Sequence, residues 1–292
     1  HKKTLYNKMS IEEICKKYKI ESYTINDDGS IDVDGSVFLN DDGLTELPLT
    51  FNKVSSMFNC SNNYLTTLKG APKYVGSGCY LHNNELDSLE YCPEYVGGGF
   101  WCNINKLTSL KGCPKSIIGD FDCMDNNLLD LKEGPNEVGG SFFCSNNKLT
   151  SLKKGPEKIG GEFECSINNL TDLQGCPKRI NSHFTVDNNN LNTFKGCPEY
   201  VDGHFDLSDN YLREIDYLPK FVKLKCFIGG NPISSILKPR IDLEYLSGFK
   251  SFRVINDDVV NFKRLKYFQE TFGSKRGYYF DEMKSIYKVN NY

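Results

Sequence analysis

The chain has 292 residues, 35 Lys+Arg against 38 Asp+Glu, and a formal net charge of -3. That balance excludes a generally basic nucleic-acid coat, and no apolar run reaches the roughly 18 residues a membrane-spanning helix needs. Asparagine occurs 29 times and cysteine 12 times, excesses that an ordinary globule does not explain.

Residues 1–36 are expected to form an N-terminal cap. The opening HKKTLYNKMSIEE carries a basic flank without an apolar centre, so it does not read as a signal peptide. Ser10 followed by Glu13 is a capping-box pair, and SIEEICKKYKI (10–20) predicts a short amphipathic helix. Alternation around the Asp-Asp-Gly and Asp-Gly turns that follow predicts hairpin-like strands leading into the first coil.

From 37 to 232 the chain repeats every 21 residues. Leucine recurs without a break from Leu44 through Leu65, Leu86 and Leu107 to Leu212. A second apolar column follows three residues later, from Leu47 and Leu68 to Phe194 and Ile215. Two residues before the first leucine runs an asparagine column, from Asn63 through Asn126 to Asn210 and Asn231, with Asp42 at its head. Upstream, a short alternation such as Phe100-Trp101-Cys102 predicts a strand with one buried face. On the return side, proline recurs from Pro72 to Pro219, and an apolar residue follows each by three, from Val75 to Val222. Proline and glycine there argue against an outer helix and predict extended or turn-like backbone.

Phe100, Cys102, Asn105, Leu107 and Leu110 spell F-x-C-x-x-N-x-L-x-x-L, which resembles the leucine-rich-repeat signature in the short-unit form of bacterial and bacteriophage proteins. The resemblance implies a leucine-rich-repeat solenoid of about nine units, with short parallel strands on its concave face. One unit cannot bury its apolar side alone, whereas stacked units share a continuous core. Each asparagine is expected to bond backbone groups where the strand turns away, linking neighbouring coils. Cys60, Cys102, Cys123, Cys144 and Cys165 point inward and read as small hydrophobes. Without a secretion signal they are expected to be reduced, in a cytoplasmic protein.

Past Asn231 the register ends, and residues 233–292 are expected to form a mixed, mainly helical C-terminal cap with a helix over 257–273. Residues 220–292 hold 14 basic and 7 acidic side chains, a net +7, which leaves -10 on 1–219. No nucleic-acid reading motif accompanies the basic end. Self-association of the two ends is one use of such polarity.

Outward strand positions supply the candidate protein-binding residues. Tyr80, Trp101 and Phe143 place aromatics on a face that the alternation leaves to solvent, where they either meet a partner or pack across shallow rungs or against a terminal segment. Asp120, Asp122, Glu162, Glu164 and Asp206 either meet a basic protein surface or keep the face soluble. His183 and His204 align on adjacent rungs near Asp206; with no third convergent histidine, they read as a surface pair rather than metal ligands. No nucleophile-elbow, phosphate-loop or dinucleotide motif is present, so no catalytic residue, cofactor or metal is expected. The favoured reading is a non-enzymatic solenoid that recognises a heterologous protein through its concave face. The resemblance extends this to a bacteriophage protein acting on a host factor in the host cytoplasm. A structural virion or assembly component, and an enzyme with its site in the C-terminal region, are the alternatives.

Overall fold

The computed structural model describes residues 9–213 and 217–232, together with the backbone of 255–256 and 259–260. Ten two-residue strands, one per coil from Val37–Phe38 to Cys226–Phe227, stack in parallel along one wall of a solenoid. Their register is strict: Phe121 pairs with Phe100 and Phe142, and Asp122 pairs with Trp101 and Phe143. A period of 21 residues therefore turns each column of the sequence into a straight row in space.

The first and third residues of each alternation point inward. Phe100, Phe121, Phe142, Phe163, Phe184 and Phe205 are fully buried, with successive ring centroids 4.9–5.9 Å apart. Cys102, Cys123, Cys144 and Cys165 fill the next inward row, and the leucine rows complete the core. Burial pushes these thiols up, Cys60 to about 12, so they pack as small apolar groups with little thiolate at neutral pH. All twelve cysteines are free.

The return wall is extended rather than helical, as its prolines and glycines require. It is divided into three sheets: one running through Phe51–Val54, Tyr74–Val75 and Tyr95–Val96, one from Ser116–Ile117 to Lys158–Ile159, and one from Arg179–Ile180 to Phe221–Val222. In each two-residue strand the valine or isoleucine is buried and the residue before it is exposed.

The asparagine row binds coil to coil. Asn126 donates from Nδ2 to the Cys102 carbonyl of the preceding coil (3.1 Å) and to the Cys123 and Met124 carbonyls of its own (3.2 and 3.0 Å). Its Oδ1 accepts from the Leu107 amide at 2.9 Å. Equivalent bonds recur from Asn63 to Asn231. To aim the amide this way, the residue before each asparagine takes the left-handed conformation, with φ between 52° and 58° from Asp41 to Asp209. Asparagine and aspartate tolerate that region; the β-branched Ile104 and Ile167, both exposed, occupy it under strain.

At the N-terminal end, helix Ile11–Lys17 begins in a reciprocal capping box. The Glu13 amide donates to Ser10 Oγ (3.3 Å) and the Ser10 amide to the Glu13 carboxylate (2.8 Å). Ile14, Cys15 and Ile20 join the common core. Tyr18 donates its hydroxyl to Asp42 at 2.6 Å, so the aspartate heading the asparagine row meets the helix instead of a preceding coil. Tyr23–Ile25 and Ile31–Val33 form an antiparallel hairpin, and the second of these strands pairs in parallel with Phe51–Val54.

At the other end, Val259–Val260 pairs antiparallel with both Cys226–Phe227 and Ile255–Asn256. Strand thus occupies part of the 257–273 stretch whose pattern predicts a helix. The open edge of the ten-stranded wall offers unpaired backbone groups, and pairing with them overrides a local helical preference. The remainder of that stretch lies outside the described residues.

Candidate functional site

Strict register sets the outward residues of the ten-stranded wall in rows. The central row runs Asn59, Tyr80, Trp101, Asp122, Phe143, Glu164, Thr185, Asp206 and Phe227. Tyr80, Trp101, Asp122, Phe143, Glu164 and Asp206 therefore share one file; Asp120, Glu162, His183 and His204 lie in the row beside it. All ten are half-buried.

Tyr80 and Trp101 stack with centroids 4.3 Å apart and planes 3° from parallel. Each ring lies over a glycine two residues earlier. A Cβ at Gly78 would sit 2.8 Å from Tyr80 Cε2, and one at Gly99 would sit 2.4 Å from Trp101 Cη2. Every other rung carries a side chain in that row, from Ser36 and Met57 to His204 and Lys225. Only these two rungs have room to lay an aromatic flat on the wall. The aromatics do pack across rungs, then, yet they remain at the surface.

The row beside them bonds one rung to the next. Asp120 Oδ1 accepts from the Ser141 amide (2.7 Å), and Ser141 Oγ accepts from the Glu162 amide (3.1 Å). His183 Nδ1 accepts from the His204 amide (2.9 Å), and His204 Nδ1 from the Lys225 amide (3.3 Å). The two imidazoles stack at 5.0 Å. Their Nδ1 lone pairs are engaged by backbone, which gives both histidines a structural task. Among the described residues no group of three or more His, Cys, Asp or Glu is placed to hold a metal ion.

Asp122 is the most perturbed carboxylate of the wall. Burial pushes its carboxyl up to about 6; the like charges of Asp125 and Glu164 add to this, and a hydrogen bond from the Met124 amide (3.0 Å) opposes it. Glu164 accepts from the Ser145 hydroxyl at 3.0 Å, and Asp206 from the Ser208 amide at 2.9 Å. No ion pair among the described residues reaches Asp122, Glu164 or Asp206.

A second aromatic surface, on the return wall, escaped the reading of the sequence. Tyr74 and Tyr95 stack at 4.8 Å with Lys53 above Tyr74, and Arg179 lies over Tyr200 next to Phe221. These aromatics are 37–47% exposed, more than Tyr80, Trp101 and Phe143, although Phe38 on the first rung of the ten-stranded wall reaches 54%. Their signal was the residue before each return-wall valine, in PKYV, PEYV and PKFV.

Fold and surface together define a leucine-rich-repeat-type solenoid: a shared apolar interior between two strand-built walls that display side chains in register. No protein-family model matches the chain, and no curated protein matches it. Among solved structures, YopM from Yersinia enterocolitica WA-314 aligns with a TM-score of 0.43 and 18% identity, over 67% of this chain and 56% of that one. No helix among the described residues is long and apolar enough to cross a membrane.

Proposed function

We propose that this solenoid is a non-enzymatic binding module that recognises a protein partner through its ten-stranded wall. The observation that carries the reading is the Tyr80–Trp101 stack, aromatics that add nothing to the core yet are held flat on the outward face, with Phe143 in the same file two rungs beyond Trp101. Rigid, partly exposed aromatics have the composition of an interface centre, and the carboxylates that border them have that of its polar rim. Asp120, Glu162, His183 and His204 shape this surface by fixing the rungs beneath it, while Asp122, Glu164 and Asp206 supply its charge. Buried cysteines with raised pKa values leave no activated nucleophile in that row.

The partner is proposed to be heterologous. The repeat resemblance extends the proposal to a bacteriophage protein meeting a host factor in the host cytoplasm; co-purification with particles would favour a virion component instead. The return wall supports a second reading, because Tyr74, Tyr95, Tyr200 and Phe221 are more exposed than Tyr80, Trp101 and Phe143. Affinity capture from the cells in which the chain is made, with identification of the bound protein, separates the two. Capture is expected to fail for Trp101→Ala/Phe143→Ala and to persist for Tyr74→Ala/Tyr95→Ala. The opposite pattern assigns recognition to the return wall, and capture that survives both double variants refutes both.

A further inference from the structure

We propose that the Trp101–Asp122 step of the ten-stranded wall is a half-built guanidinium site, completed by an arginine side chain of the partner. The inference rests on the partner-recognition reading of this wall and names the chemistry of the contact.

Trp101 has one face covered and one open. Tyr80, on the preceding rung, lies parallel to the indole at 4.3 Å. The opposite face therefore turns toward the following rung, where Asp122 is the register partner of Trp101. Among the described residues no second ring and no cation lies against that face. Phe143 is the register partner on the far side of Asp122, so Asp122 lies on the rung between two aromatic-bearing rungs whose backbones are about 9.6 Å apart, twice the strand spacing. A planar cation stacked on the open indole face would meet the Asp122 rung next.

The carboxylate here has no cation. Asp122 is half-buried; its Oδ1 holds the Met124 amide, and no basic side chain among the described residues pairs with it. An open π face beside a carboxylate with no basic partner calls for a group that is planar, cationic and donor-only. Guanidinium meets all three conditions: it stacks on indole, forks onto a carboxylate and carries five N–H donors with no acceptor. Ammonium is a compact, strongly hydrated charge that cannot stack, and an uncharged urea lacks the attraction to both the ring and the carboxylate. The glycine at 99 is part of the design, because a Cβ there would displace the indole.

Trp101 is the only tryptophan of the chain, so its emission reports on this site alone. The probes are the peptide acetyl-Gly-Gly-Arg-Gly-Gly-amide and its lysine and citrulline counterparts, titrated into the full chain at constant ionic strength. The arginine peptide is expected to change the emission saturably, the lysine peptide to bind about tenfold more weakly, and the citrulline peptide to give no saturable change. Asp122→Asn should weaken the arginine peptide by about tenfold, whereas Glu157→Gln, an exposed charge on the return wall, should leave it unchanged. Equal binding of arginine and citrulline peptides, equal effects of the two substitutions, or no response to the arginine peptide overturns the proposal. If that happens while partner capture still depends on Trp101 and Phe143, the guanidinium site is wrong and the partner-recognition reading stands. Capture independent of both residues removes the two together.

Discussion

Replacing Asn126 with leucine removes the side chain that joins the coil of Phe100 to the coil of Phe121, and the hydrogen bonds show where the damage falls. Asn126 Oδ1 accepts from the Leu107 amide; without it, that buried N–H is left unsatisfied at a cost of about 1–3 kcal/mol. The carbonyls are better insured. Cys102 keeps the amide of Asn105 at 3.1 Å, Cys123 keeps that of Asn147 at 3.0 Å, and Met124 keeps the backbone N–H of Ile104 at 3.1 Å. Each carbonyl loses one of two bonds, worth about 0.5–1 kcal/mol apiece. The expected loss is about 2.5–6 kcal/mol in total. Urea unfolding followed by far-UV circular dichroism measures it, with amide exchange at Leu107 as the local readout. Asn126→Asp separates the contributions: it keeps the acceptor for Leu107 but turns a carboxylate toward three carbonyl oxygens. That variant should be at least as damaging at neutral pH and recover in mild acid, when protonation restores one donor. A loss below about 1 kcal/mol in Asn126→Leu, with Leu107 exchange unchanged, would refute the assignment of coil-to-coil cohesion to this row.

Three further outcomes follow from the same geometry. The Asp122 carboxyl is raised from 3.8 to about 6, so between those values the folded chain holds a proton that the unfolded chain releases, and stability falls as pH rises through that window. Asp122→Asn keeps the acceptor for Met124 and should add about 1–2 kcal/mol at pH 7, discounted for partial solvent exposure, while flattening that part of the stability–pH profile; a loss at pH 7 contradicts it. Ile104→Asn and Ile167→Asn relieve β-branched residues held at φ 53° and should each add about 1 kcal/mol, read as a higher thermal midpoint; no rise would mean that the left-handed turn carries little strain. Gly99→Ala puts a methyl 2.4 Å from Trp101 Cη2 and should lift the indole off Tyr80; an unchanged emission spectrum would show that the stack does not depend on that glycine.

The architecture was legible because a period of 21 residues is a geometric statement. Columns spaced by one period become rows, and Phe121 against Phe100 or Asn126 against Asn105 needed no further information. The absence of an outer helix was equally readable from Pro72 to Pro219, since proline is excluded by local sterics. Contacts within a row were less visible. The alternation showed that Trp101 faces outward, but not that Gly99 lets its ring lie flat against Tyr80, because that depends on side-chain volume two residues away. His183 and His204 looked like a surface pair, and their bonds to the next rung's amides became apparent only with the backbone in place. The left-handed turn was written in the residue before each asparagine, mostly Asn or Asp, and was obscured by the two isoleucines. Val259–Val260 read as helix because sequence periodicity carries no information about an open sheet edge to be filled.

The central claim is that a partner docks on the ten-stranded wall, and site-specific photocrosslinking to the captured partner tests it most directly. With benzoylphenylalanine in place of Phe143, beside the Trp101–Asp122 step, irradiation is expected to yield a covalent adduct with the partner. The same group in place of Tyr95, on the return wall, is expected to yield none. An adduct from position 95 and none from position 143 would contradict the account.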